Sequence, residues 1–123
     1  MIDAKFEDLK GKIISNISVD KNKNEIYFST NDLRKFKMYH EQDCCESVTI
    51  EDICGIPLNE HVGHQILVAE VRTNEGEIED SWETFTWTFY ELATIKGNTT
   101  IRWYGTSNGY YSERVNFEEV ENI

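Results

Sequence analysis

Apolar residues in this chain fall mostly on alternate positions, the two-residue period of a half-buried strand rather than the 3.6-residue period of a helix. In "KFKMYH", Phe36 and Met38 take one side and Lys35 and Lys37 the other. "KIISNISVD" and "EIYFST" carry the same β-type mixture, and the polar turns "KNKN" and "NDLR" separate the three runs. The sequence from Lys12 to His40 therefore reads as an antiparallel meander. Ahead of it, "IDAKFEDLKGK" forms either a short helical turn or the lead into the first strand.

Beyond His40 the pattern is mixed. In "DCCESVTIEDICG", Val48 and Ile50 alternate as in a strand, while Cys45, Val48 and Asp52 also fit one face of a helix. "IPLNEHVGHQ" reads as a short helix with Pro57 in its first turn and Gly63 near its end. "ILVAEVRT" is a strand, and "NEGEIEDSWE" an acidic, glycine-containing, mobile loop. The longest β-type run is "TFTWTFYELATIKG", with Phe85, Trp87 and Phe89 on one face. "NTTIRWYG" and "YYSERVNF" follow, joined by "TSNG", whose Asn-Gly pair accepts positive φ and signals a hairpin. With no linker, repeat or low-complexity segment, residues 1–123 read as a single domain. The expected fold is α+β: a curved, mostly antiparallel sheet of about seven strands with one or two short helices.

Composition narrows the partners. No stretch approaches the roughly 18–20 apolar residues that span a bilayer, and the N-terminus lacks the pattern of a secretory signal. An intracellular protein is the expectation. Twenty-three acids against twelve bases give a formal net charge of −11. Such a surface repels extended nucleic acid and anionic membrane. It suits either simple solubility or a basic protein partner whose nucleic-acid groove the carboxylates would occupy.

The stretch "MYHEQDCCESVTIEDICG", Met38 to Gly55, gathers His40 and all three cysteines. It lacks the C-x-x-C spacing of zinc knuckles, and "HVGH", with His61 and His64, is not the H-E-x-x-H of a metalloprotease. No metal or cofactor is expected. Asp43 and Glu46 beside Cys44 and Cys45 disfavour a thiolate nucleophile. A structural corner is the expected reading, with Asp43 capping a turn, one of the adjacent cysteines packed inward as a thiol and the other outward. A disulfide between such neighbours is not expected. Nothing in the sequence marks an enzyme: G-x-S-x-G, Walker and dinucleotide-binding motifs are missing.

The C-terminal pair of runs is the candidate binding surface. Alternation puts Ile101 and Trp103 with Val115 and Phe117 on the core side. Arg102 and Tyr104 face outward, joined in a simple register by Tyr110, Ser112 and Arg114, and by Tyr90 from the preceding strand. Tyrosine rings stack on bases and arginine forks hold phosphate.

Together, "YHEQDCCESVTIEDICG", "ILVAEV", "TWTFYELATIKGNTTIRWYG" and "SNGYYSERVNF" resemble a widespread family of small bacteriophage and prophage proteins, from about Lys37 to Phe117. The "GIPLNEHVGHQ" segment departs from the more acidic helix expected there. The resemblance implies a non-catalytic counter-defence protein in the cytoplasm of an infected bacterium. Its ligand would be a small nucleotide immune signal, a cyclic oligonucleotide or a cyclic ADP-ribose derivative. On that reading Arg102 and Arg114 hold phosphate, and Tyr104, Tyr110 and Tyr90 stack on bases. His40 or Asn108 supplies hydrogen bonds to a base edge, and a homo-oligomer suits a symmetric ligand. The runner-up is an acidic inhibitor of a host defence nuclease or CRISPR effector, acting through Glu75, Glu77, Glu79, Asp80, Glu118, Glu119 and Glu121. A phage accessory protein without a defence role is the third reading.

Overall fold

The computed structural model describes residues 2–22 and 24–120. Alternation dominates, and the described residues form nine strands: β1 (Ile2–Asp3), β2 (Ile14–Val19), β3 (Glu25–Thr30), β4 (Lys35–Tyr39), β5 (Ser47–Gly55), β6 (Val68–Glu77), β7 (Thr84–Thr94), β8 (Gly97–Ser107) and β9 (Asn116–Val120). They build two antiparallel sheets, of order β1-β9-β4-β3-β2 and β5-β8-β7-β6. The expected α+β fold with one curved sheet is corrected to an all-β-like domain. Each expected helical piece is only a 3-10 turn of four residues, Phe6–Leu9 and Leu58–His61. The β2-β3-β4 meander forms as read, and Pro57 sits at the N-cap of the second 3-10 turn. No helix among the described residues is long and apolar enough to cross a membrane.

The two sheets share one core. Ile26, Phe28, Phe36, Met38 and Phe117 come from the five-stranded sheet, and Val48, Leu92, Ile101 and Trp103 from the four-stranded one. The Trp103 indole N–H donates to Met38 Sδ at 3.2 Å across the gap. Phe6, carried in by the first 3-10 turn, fills the centre with edge contacts to Phe28, Tyr90 and Phe117 at 5.0–6.0 Å. A buried aromatic of this size contributes about 2–3 kcal/mol by area.

His61 in the second 3-10 turn is fully buried. Thr99 Oγ1 donates to the Ile56 carbonyl at 2.6 Å, so it accepts from His61 Nε2–H at 2.8 Å. Thr94 Oγ1 accepts the Lys96 N–H and lies 2.7 Å from His61 Nδ1, to which its hydroxyl can donate. Nε2 therefore carries hydrogen, and burial pushes the ring's pKa down, favouring the neutral form.

The expected hairpin around Asn108-Gly109 does not form. β8 pairs with β7 and β5, whereas β9 crosses to the other sheet and pairs with β4 and β1. Residues 108–115 are a connection without strand structure, and Gly109 alone takes the positive φ, at 88°. The Val115 and Phe117 side chains still reach the core as their alternation indicated.

The loop expected between the sixth and seventh strands is shorter than "NEGEIEDSWE", because β6 continues to Glu77. The ambiguous 47–55 stretch is a strand. A bulge between Ile50 and Asp52 restores the pattern, pairing Ile50 with Trp103 and Ile53 with Ile101 while Asp52 lies opposite Arg102.

Candidate functional site

The outer face of the four-stranded sheet carries an aromatic array that follows from strand register. β7 presents Phe85, Trp87 and Phe89 outward, and its pairing sets Trp87 directly opposite Tyr104 and Phe89 opposite Arg102. The Trp87 and Tyr104 ring centroids are 4.5 Å apart, Phe85 and Tyr104 6.4 Å, and Trp87 and Phe89 6.0 Å with planes 10° apart. All four rings are half-buried, so each keeps surface toward solvent.

Arg102 closes one end of this array, with its guanidinium 5.9 Å from the Trp87 ring. The β5 bulge brings Glu51 and Asp52 to the same arginine. Glu51 accepts from Arg102 Nε at 3.0 Å and from an Nη at 2.6 Å, and Asp52 lies 3.6 Å away. The Glu51 hydrogen bond holds the arginine more firmly in its charged form. A phosphate arriving here would compete with Glu51 for the guanidinium fork.

The remaining residues expected at the site are dispersed. Tyr90 faces the core, paired with Ile101, and is only 4 % exposed, so it does not join the outer face. Arg114 and Ser112 lie in the 108–115 connection and line a cleft on the inner side of the same sheet, where Tyr90 also opens. Tyr110 is 83 % exposed, with its ring edge-on to Tyr111 at 5.1 Å. Asn108 Oδ1 accepts the Tyr110 N–H at 3.0 Å, capping its own turn. The single outer surface inferred from a hairpin register is therefore corrected: Arg102 and Tyr104 are together, and Arg114 with Tyr90 is across the sheet.

His40 is a pin, with its side chain 4 % exposed. Nδ1 lies 2.7 Å from the Arg114 carbonyl and Nε2 2.8 Å from Glu46. Both partners are acceptors, so both contacts are hydrogen bonds only when both ring nitrogens carry hydrogen. Glu46 also accepts the Asp43 and Cys44 N–H groups, each at 2.9 Å. The Cys44 N–H foremost, against the opposing effect of burial, lowers the Glu46 carboxyl pKa to about 2.

Glu46 is thus the buried anchor of the corner, in place of the expected Asp43 cap. Cys44 and Cys45 are both exposed and joined to each other in a disulfide, which corrects the expectation of thiols packed one inward and one outward. They lie in a loop, where strand alternation does not apply. The free Cys54 donates to Asp52 at 3.1 Å. Among the described residues no three His, Cys, Asp or Glu side chains converge as a metal site requires.

Two features escaped the sequence reading. The Phe85–Trp87–Phe89 face was visible in the alternation, but its union with Tyr104 and Arg102 depends on the β7–β8 register. Trp82 sits 95 % exposed in the β6–β7 loop, amid Glu77, Glu79, Asp80 and Glu83.

Residues 7–117 match a family model described as a domain of unknown function, DUF7448. The chain belongs to the DUF7448 family. The match takes in nearly all of β2 to β9, hence both faces of the four-stranded sheet in this DUF7448 domain. Comparison with curated proteins and with solved structures gives no match.

Proposed function

We propose that this DUF7448 domain is a non-catalytic binding protein that takes up a small nucleotide on the outer face of the four-stranded sheet. The observation that carries the proposal is the Trp87–Tyr104 contact with the Arg102 guanidinium over Trp87. Half-buried rings that keep surface toward solvent offer a stacking surface for a base, and an arginine beside them offers a fork for phosphate. The net charge of −11 favours a short ligand over a polyanion. The role is the one the sequence resemblance implies: a phage protein that withholds a cyclic nucleotide signal from host immunity. The assignment rests on Arg102, Tyr104, Trp87 and Phe89. Titration with cyclic dinucleotides and cyclic ADP-ribose, followed by tryptophan fluorescence, tests it. Binding should weaken roughly tenfold or more in Trp87→Ala, the usual cost of losing one stacking ring, and at least as much in Arg102→Gln. Unchanged affinity in both variants sinks the assignment.

A second reading, as an inhibitor that docks on a basic host protein, is favoured by Trp82. A nearly fully exposed tryptophan in a loop region shared with Glu77, Glu79 and Asp80 is the composition of an interface anchor beside an acidic rim. Glu75 and Glu77 fall at the same end of the molecule, at the close of β6. Glu118 and Glu119 do not join them: Glu118 accepts the Tyr39 hydroxyl, and Glu119 pairs with Arg34 at 2.5 Å. Glu121 lies outside the described residues. On this reading Trp82→Ala abolishes capture of a basic nuclease and added salt weakens it steeply. Capture indifferent to both rejects it.

A further inference from the structure

The inner face of the four-stranded sheet carries a cleft separate from the aromatic array. Along β7 the inward positions change from Thr84, Thr86 and Thr88 to Tyr90 and Leu92. Only the last two belong to the core cluster. Over the polar end runs the 108–115 connection, leaving a cleft of about 320 Å³. That is near the lower limit of roughly 300 Å³ for small-molecule sites.

Three observations give the cleft chemical character. Tyr90 is 96 % buried, and its hydroxyl has no hydrogen-bond partner among the described residues. Among the described residues no enclosed side-chain polar atom lacks a partner, so this hydroxyl opens into the cleft that Tyr90 lines. Arg114 lines the same cleft without an ion pair among the described residues, whereas Arg34, Arg72 and Arg102 are each paired with a glutamate. Free guanidinium is unexpected in a chain with so large an excess of acids.

The third observation is that the connection is fixed rather than loose. The Arg114 carbonyl meets His40 at 2.7 Å, and the Arg114 N–H donates to Ser112 Oγ at 3.2 Å. The Glu113 carboxylate accepts from Thr84 and Thr86 at 2.5 and 2.8 Å and also from Ser107. The arginine is therefore presented by a braced backbone, which lowers the ordering cost of binding.

The lining also sets the charge of the ligand. The lining holds one arginine and two glutamates, Glu75 and Glu113, the latter already hydrogen-bonded to Thr84, Thr86 and Ser107. A multiply charged phosphate would be repelled by them, whereas a single carboxylate with a donor at its other end matches both signs. The geometry points to a site for a small amino-acid-type zwitterion, its carboxylate held by the Arg114 guanidinium and the Tyr90 hydroxyl and its ammonium directed to Glu75.

Calorimetric titration of the whole protein with pooled free L-amino acids, and separately with acetate and inorganic phosphate, tests this. Some member of the amino-acid pool should bind, acetate should bind more weakly and phosphate not at all. Tyr90→Phe keeps the ring in the core and removes only the hydroxyl. It and Arg114→Gln should each weaken binding roughly tenfold or more, with an unchanged melting temperature for Tyr90→Phe. Trp87→Ala, on the opposite face, should leave this binding intact. No amino-acid binding at millimolar concentration, binding indifferent to Tyr90→Phe and Arg114→Gln, or preference for phosphate overturns the proposal.

Discussion

Two buried ionisable side chains make the domain sensitive to acid, in separate pH ranges. Glu46 ionises at about 2 when folded, against an ordinary 4.5, because its charge is met by the Cys44 and Asp43 N–H groups and by His40. The unfolded chain binds that proton more readily than the native one. This stabilisation is therefore complete above pH 4.5 and is lost as pH falls toward 2. His61 is displaced down from 6.5 by burial, so its neutral form belongs to the native state. Its contribution is full above pH 6.5 and declines as pH falls below that value. Urea midpoints measured from pH 7 to 3 should drop for the wild-type chain; His61→Gln should flatten the fall between pH 7 and 5, and Glu46→Gln the fall below pH 4.5. Parallel curves for all three proteins would show that neither residue is responsible. In sequence, His40 reads as a group that could hydrogen-bond a base edge. Its role as a pin depends on Arg114, which lies far along the chain and is carried to it by the pairing of β9 with β4.

At the scale of elements, the 108–115 connection is the informative one. An Asn-Gly pair between two β-type runs is a strong local signal for a hairpin, yet tertiary pairing overrides it. Phe117 pairs with Met38 on the other sheet, and Glu113 gathers hydroxyls from β7 and β8. Burial alone acts to raise the Glu113 carboxyl pKa, but the Ser107, Thr84 and Thr86 hydroxyls outweigh it and lower the group overall. Glu113→Ala leaves those hydroxyls unsatisfied and should destabilise the domain by about 1–3 kcal/mol in urea unfolding. A change within about 0.5 kcal/mol would mean the clasp contributes nothing. The hairpin that does form, β7–β8, turns through Ile95 and Lys96 before Gly97. Strands with clean alternation, such as β4 and β7, were legible in sequence because one face is apolar. Partnership between strands was not, because no local residue pattern distinguishes β8–β9 pairing from β4–β9 pairing. Half of the candidate site followed the first kind of information and half depended on the second. Arg102 and Tyr104 were placed correctly by alternation, whereas Tyr90, Tyr110 and Arg114 needed the register.

Considered as a whole molecule, the domain divides its chemistry between the two sides of one sheet. The outer side of the β5-β8-β7-β6 sheet is aromatic, with Arg102 beside the rings, and the inner side is apolar toward the core and polar under the 108–115 connection. The high negative charge keeps both from attracting polyanions. The most direct test of the central claim is native mass spectrometry of the protein incubated with cyclic oligonucleotides and cyclic ADP-ribose, beside its Arg102→Gln variant. The expected result is an added nucleotide mass on the wild-type chain, released chemically unchanged on denaturation and missing from the variant. A wild-type spectrum with no added mass, or equal occupancy in both proteins, would contradict nucleotide uptake at the aromatic face.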